Sequence, residues 1–166
     1  MLPPFVRKYL LTALEGTPDV LDGFLKTLPA DDPVWDFRPA PARFTLREVV
    51  AHLADWEPIF LERMTRIRDE SEPSLPDIDE GQLAIDRDYA HSDPQANLAR
   101  FRQGRVTMLA FLRSLKEGNW ERAGNYKREH PMVGGPVTLE AWVAQVVGHD
   151  GYHTQQVAQW LAAARR

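Results

Sequence analysis

The sequence predicts an all-α protein, a four-helix bundle in which a long crossover joins the second and third helices. Apolar residues recur at helical spacing in four segments, and no run of residues shows the two-residue period of a strand. The acidic stretch 71–93 is long enough to cross a whole bundle rather than join two close neighbours. With 166 residues, we expect a single domain over residues 1–166.

The first helix is expected over residues 3–28. Gly16, Thr17 and Pro18 interrupt its apolar pattern, and we expect a break or kink there. Thr17 suits an N-cap and Pro18 suits the first turn of a new segment. Pro29 ends the helix and opens a proline-rich loop.

The second helix begins at Thr45, whose spacing to Glu48 is that of a capping box. Pro58 lies inside this helix and removes a backbone hydrogen bond, so a kink is expected there. The crossover 71–93 follows, with one short helix expected near residues 78–85.

The third and fourth helices carry clear start signals. Asp93 and Pro94 are an N-cap followed by proline, and Gly118 is expected to stop the third helix. The fourth helix begins at Thr138 and its apolar pattern continues to Leu161.

Composition excludes several kinds of chemistry. The chain has no cysteine, so disulfides, thiolate nucleophiles and thiolate-bound zinc are excluded. The net charge is −4 with mixed signs along the chain, which disfavours nucleic acid as a partner. No apolar run reaches the roughly 18 residues of a membrane span. The N-terminus lacks the order of a signal peptide, and we expect a cytoplasmic protein.

His149 and His153 suggest chemistry most directly, because four helical residues place their imidazoles about 40° apart on one face. Two neutral histidines at this spacing can bind one metal ion. Their stripe of the fourth helix has a polar centre and aromatic ends: Trp142, Gln145, His149, His153, Gln156 and Trp160. A packing role for the pair is the alternative.

His52 is a candidate third ligand. It lies among the apolar residues of the second helix, and facing helices of a bundle can share a metal site. A lone inward histidine is more often a hydrogen-bonded core residue. Three imidazoles would leave open positions for water or substrate, as catalytic sites do. His91 and His130 are expected to be exposed in loops. Either of these loops could fold over the site.

The carboxylates near these histidines have different expected roles. Asp55, three residues after His52, could accept a hydrogen bond from an imidazole N–H or act as general base on a metal-bound water. The alternative is a solvated or capping carboxylate. Glu57 points away and is expected to be structural. Asp150 diverges from His149, so a salt bridge at the surface or at an interface is expected.

We expect Trp56, Gln145 and Gln156 to line a substrate pocket, with Gln156 contacting substrate or water. Tyr152 is expected to pack away from the metal face. Glycines 148 and 151 lower helix stability, which favours close approach of a neighbouring helix there.

The motifs HLADWE around His52 and HDGYHTQQ around His149 and His153 resemble those of the DinB-like superfamily, which includes YfiT-like hydrolases. The TLREVVAHLADWE, LARFRQGR and TLEAW segments extend the resemblance over nearly the whole chain. It implies a bundle with a crossover after its second helix and a site for nickel, zinc, iron or manganese on those three histidines. It also implies a homodimer.

Some members of that superfamily transfer bacillithiol to electrophiles or use mycothiol in isomerisation. The hypothesis is therefore a metal ion that activates water, or a low-molecular-weight thiol cosubstrate, for attack on a small electrophile. The resulting alternatives are a hydrolase, a thiol-dependent S-transferase, and a metal-binding or purely structural bundle without activity.

Overall fold

The computed structural model describes residues 2–126 and 135–164. Four long helices form the bundle in these ranges, and one short helix lies in the crossover between the second and third of them. The helices are α1 (Pro4–Leu25), α2 (Leu46–Asp69), the short α3 (Glu80–Asp86), α4 (Pro94–Ser114) and α5 (Leu139–Ala164). The predicted all-α bundle with a long crossover is confirmed. None of the described helices is long and apolar enough to span a membrane.

Each long helix packs against two others. α2 packs against α4 and α5, and α1 packs against the same two helices. The order around the bundle is therefore α1, α4, α2, α5. The crossover joins two neighbours, contrary to expectation, but α2 and α4 run in the same direction, since Asp55 pairs with Arg100 and Glu57 with Arg105. The connection must therefore return along the length of the bundle.

The core consists of two apolar clusters, one toward each end of the bundle. One cluster contains Trp56 and Phe60 of α2 and Val146 of α5. The other contains Leu53 of α2 and Val157 of α5. The histidines of α2 and α5 lie at the level where the two clusters meet.

A small sheet, which the sequence did not predict, closes one end of the bundle. β1 (Ser74–Leu75) pairs in parallel with β2 (Ala123–Tyr126), which pairs antiparallel with β3 (Gly135–Thr138). Strands of two to four residues are too short to show a two-residue period. Gly124 permits the packing, because a Cβ there would lie 2.9 Å from Leu75 Cδ1.

The predicted break in the first helix is wrong, since α1 runs through Pro18 as one helix. Thr17 does not cap a new segment; its hydroxyl donates to the Ala13 carbonyl at 3.0 Å. Proline cannot donate to the carbonyl four residues back, that of Leu14. Arg105 Nη1 donates to that carbonyl at 2.8 Å instead, which replaces the missing helical bond.

The start signals of α2 and α4 agree with the structure. Thr45 and Glu48 form the capping box of α2, which continues through Pro58 to Asp69. Asp93 caps α4 by accepting hydrogen bonds from two backbone amides. α4 ends at Ser114, four residues before the expected stop at Gly118.

Candidate metal centre

Three histidines from two adjacent helices converge inside the bundle. His52 comes from α2, and His149 and His153 come from α5. One potential ligand atom from each lies within 4.8 Å of the other two. The Nε2 atoms of His52 and His149 are 2.9 Å apart. The ring centroid of His153 lies 4.7 Å from that of His52 and 4.5 Å from that of His149.

Burial keeps these imidazoles neutral. His52 is 1% exposed and His153 6% exposed, whereas His149 is half-buried. Burial, with the charge of His153, lowers the pKa of His52 to about 3. Burial lowers the pKa of His153 to about 4 and that of His149 well below its usual range. Neutral imidazole is the form that binds metals.

Gln156 makes a hydrogen bond to one of the three histidines. Its Oε1 lies 2.8 Å from Nδ1 of His153 and is buried with it. A carbonyl oxygen can only accept, so Nδ1 of His153 carries the proton and its Nε2 has a free lone pair. Gln156 therefore orients a candidate ligand from behind, and its contact with substrate or water stays a prediction.

The donor set fits a metal ion. Nδ1 of His52 and Nδ1 of His149 are buried and have no hydrogen-bond partner among the described residues. A hydrogen bond between the two Nε2 atoms is the alternative to a shared ion, and it leaves both Nδ1 atoms without a partner among the described residues. Nitrogens bound to one ion at 2.0–2.1 Å and roughly right or tetrahedral angles would be about 2.9–3.4 Å apart. The Nε2 separation of 2.9 Å falls in that range.

Aromatic rings surround the group. The Trp56 ring lies 5.5 Å from that of His52 and 5.8 Å from that of His149, consistent with the predicted place of Trp56 in a pocket. Phe60 lies 5.2 Å from His149, and Phe44 lies 5.6 Å from His52. These rings limit the access of water to the imidazoles.

Gln145 lies on α5 one turn before His149, and its side chain is exposed. The structure places it on the helix face that leads to the histidines, at the surface rather than among them. Its role in a substrate pocket stays a prediction.

Asp55 does not accept a hydrogen bond from an imidazole, contrary to one of its two predicted roles. Arg100 Nη2 donates to its Oδ1, and the Tyr89 hydroxyl donates to its Oδ2 at 3.1 Å. Asp55 is also 7% exposed, so it is not a solvated carboxylate either. It links α2 to α4 and to the end of the crossover.

Asp150 is buried rather than at the surface, which corrects its predicted position. Arg105 Nη1 lies 2.7 Å from Asp150 Oδ2, and Arg105 Nη2 lies 2.6 Å from Glu57 Oε1. All three side chains are at most 4% exposed. This group, the Arg105 network, joins α2, α4 and α5 one residue from His149, and gives Glu57 the structural role that was expected.

Arg105 was not among the residues predicted from the sequence, although its spacing from apolar residues indicated that it faces the core. It lies four residues after Phe101 and three before Met108, and both are buried. An arginine at that spacing faces the core.

The predicted close approach at glycines 148 and 151 is wrong, because a Cβ at either position would meet no atom within 4 Å. The close approach lies at Gly104 of α4 instead, where a Cβ would be 2.6 Å from Glu57 Cβ.

The remaining residues named from the sequence are His91, His130 and Tyr152. The His91 side chain is 81% exposed, as expected, and lies beside Asp88. His130 lies outside the described residues. Tyr152 is 52% exposed, and its ring centroid is 5.0 Å from that of His153, so it borders the site rather than packing away from it.

Comparisons with known proteins support this architecture. The family model of the DinB superfamily matches residues 13–157. The solved structure of YfiT from Bacillus subtilis, described as a probable metal-dependent hydrolase with an unusual four-helix bundle topology, superposes with a TM-score of 0.87. The two chains are 22% identical, and the match covers 99% of this chain and 90% of YfiT. No curated protein matches the sequence.

Proposed function

The chain belongs to the DinB superfamily, and we propose that it is an enzyme that uses a divalent metal ion on His52, His149 and His153. The observation that carries the proposal is the convergence of three neutral imidazoles, two buried and one half-buried, each with a potential ligand atom within 4.8 Å of the other two. Three protein ligands leave coordination positions open, which is typical of catalytic rather than structural sites. Nickel, zinc, iron and manganese are the candidate ions.

A bound ion would supply Lewis acidity, which lowers the pKa of water or of a thiol to near neutral and provides a nucleophile. The chain's own residues hold this site in place. Gln156 fixes the orientation of His153, and the Arg105 network fixes α5 relative to α2. The rings of Trp56 and Phe60 exclude bulk water from one side of His149.

Hydrolysis of a small electrophilic molecule is the first candidate reaction. YfiT, which shares the fold, is described as a probable metal-dependent hydrolase. Asp55 has no part in this proposal as a general base, since Arg100 and Tyr89 occupy both of its oxygens. The second candidate is S-transfer from a low-molecular-weight thiol, which the same open positions would bind.

Activity of metal-depleted protein reconstituted with single ions tests the proposal. Esters and amides are offered with water alone, and electrophilic halides and epoxides with a thiol. We expect turnover that returns with one ion and disappears with chelator. Turnover only with the thiol would select S-transfer, and turnover that survives complete removal of metal would contradict the proposal.

The exposed face of α1 and α5 supports the predicted homodimer, which we also propose. Phe5 and Tyr9 of α1 are 62% and 67% exposed. A Cβ added at Gly148 or Gly151 of α5 would meet no atom within 4 Å. Apolar ridges and a small-residue groove on one face suit a two-fold contact between copies. Light scattering should give twice the chain mass, and Phe5→Glu with Tyr9→Glu should give monomers; a wild-type monomer would contradict this.

A further inference from the structure

Arg43 is a cation beside the three-histidine group. Its Nη2 donates to the Tyr152 hydroxyl at 2.9 Å, and the Tyr152 ring touches His153. Its guanidinium carbon lies 5.4 Å from the centre of the Trp160 ring. Arg43 is therefore held at the site through neutral aromatic partners.

No carboxylate neutralises Arg43 within residues 2–126 and 135–164, where ion pairs join nitrogen and oxygen atoms up to 4.0 Å apart. The nearby carboxylates are paired elsewhere: Glu48 with Arg38, Asp55 with Arg100, and Glu57 and Asp150 with Arg105. The charge of Arg43 remains available to a ligand.

The charge balance of the site favours an anion. Three neutral imidazoles bring no negative charge, so a divalent ion bound there would keep its full charge. A second cation at this site is unfavourable unless an anion lies near both. A guanidinium also has five N–H donors in a fork that fits a carboxylate, and the Tyr152 bond uses only one nitrogen.

We propose that Arg43 binds an anionic group, such as a carboxylate, of the small molecule that occupies the three-histidine site. This inference rests on the proposed function, and it assigns the substrate or cosubstrate to the class of organic anions. Two contacts pre-order the arginine: the aromatic stacking on Trp160, and the hydrogen bond from Arg38 Nη1 to the Arg43 carbonyl at 2.6 Å.

Binding of two matched thiols to the Co²⁺-loaded protein tests the proposal. The probes are 3-mercaptopropionate and its neutral counterpart 3-mercapto-1-propanol, and the thiolate-to-cobalt absorption band reports binding. The measured quantity is the ratio of their dissociation constants. We expect Arg43→Gln to reduce the preference for the carboxylate by about tenfold, as for loss of a charge-assisted bond.

Two further variants distinguish direct contact of Arg43 with the carboxylate from a general electrostatic effect of positive charge. Arg43→Lys keeps the charge and should keep part of the preference, because an ammonium lacks the fork. Arg102→Gln removes another exposed arginine, paired with Asp19 and Asp22, and should leave the ratio unchanged. Arg43 is exposed and outside any helix, so the variants should fold; equal Tm and Co²⁺ content verify this.

The outcomes separate the two proposals. An unchanged ratio in Arg43→Gln, with Co²⁺ bound as in the wild type, would overturn the role of Arg43 and leave the metal site intact. A wild-type protein that binds no Co²⁺ would overturn the proposed function itself, and this inference with it.

Discussion

Gln156 Oε1 and His153 Nδ1 lie 2.8 Å apart, one turn from each other on α5. This bond places the proton of His153 on Nδ1 and leaves its Nε2 lone pair free to bind a metal ion. Such partners behind a ligand raise its basicity and reduce its freedom to rotate. The hydrogen bond between these two residues of one helix should therefore strengthen metal binding at the site.

Gln156→Leu should weaken metal binding about 10–100-fold, because His153 loses its acceptor and can rotate or change tautomer. Calorimetric titration with Zn²⁺ measures the change. Gln156→Glu retains an acceptor and should recover most of the affinity. Gln159→Leu, at an exposed position of the same helix, is the matched control. Equal affinities for Gln156→Leu and the control would show that the bond does not position the ligand.

Asp150→Asn should lower the free energy of unfolding by about 3–5 kcal/mol, because it leaves the buried Arg105 undercompensated. Urea unfolding measures the loss. Asp19→Asn removes an exposed partner of Arg102 and should cost less than about 1 kcal/mol. A cost for Asp150→Asn as small as that of the control would mean that the Arg105 network contributes nothing to stability.

Gly104→Ala should destabilise the fold by about 1–3 kcal/mol, because its Cβ would overlap Glu57 Cβ where α2 and α4 meet. Gly23→Ala has open space around the new methyl and should stabilise α1 by about 0.5–1 kcal/mol. Thermal unfolding of the two variants compares them. A Tm for Gly104→Ala at or above that of the wild type would contradict the packing described here.

Metal-free protein should lose stability as the pH falls from about 6.5 toward 4. Burial lowers the pKa of His52 to about 3 and that of His153 to about 4, whereas the unfolded chain takes up protons near 6.5. Each histidine then contributes a slope of about 1.4 kcal/mol per pH unit, and the stability is fully present only above 6.5. Urea unfolding at pH 7.5, 6 and 5 measures it.

The double variant His52→Gln with His153→Gln should show a shallower slope in the same experiment. His91→Gln removes an exposed histidine and should keep the wild-type slope. Identical slopes in all three proteins would mean that the histidines of the site do not govern the acid response.

The sequence predicted those features that local chemistry determines. The capping box at Thr45 and the Asp93 cap located two helices, and the spacing of His149 and His153 located the site. Helical period alone placed His52 inward, where it is 1% exposed. The helix count and the crossover followed from the same signals.

The features that failed depend on tertiary partners. The α1 helix continues through Pro18 because Arg105, 87 positions later, supplies the lost hydrogen bond. Asp150 is buried because that same arginine neutralises it. Gln156 lies three residues from His153 on the same helix, but their hydrogen bond depends on the rotamer of His153, which residue spacing does not determine. Arg105 lies far along the chain from both Pro18 and Asp150, where local rules do not reach.

Metal content of purified protein tests the central claim most directly. Elemental analysis should find one ion per wild-type chain and the same for His91→Ala. His52→Ala should hold much less, and the double variant His149→Ala with His153→Ala should hold none. An undiminished metal content in the double variant would contradict the three-histidine site.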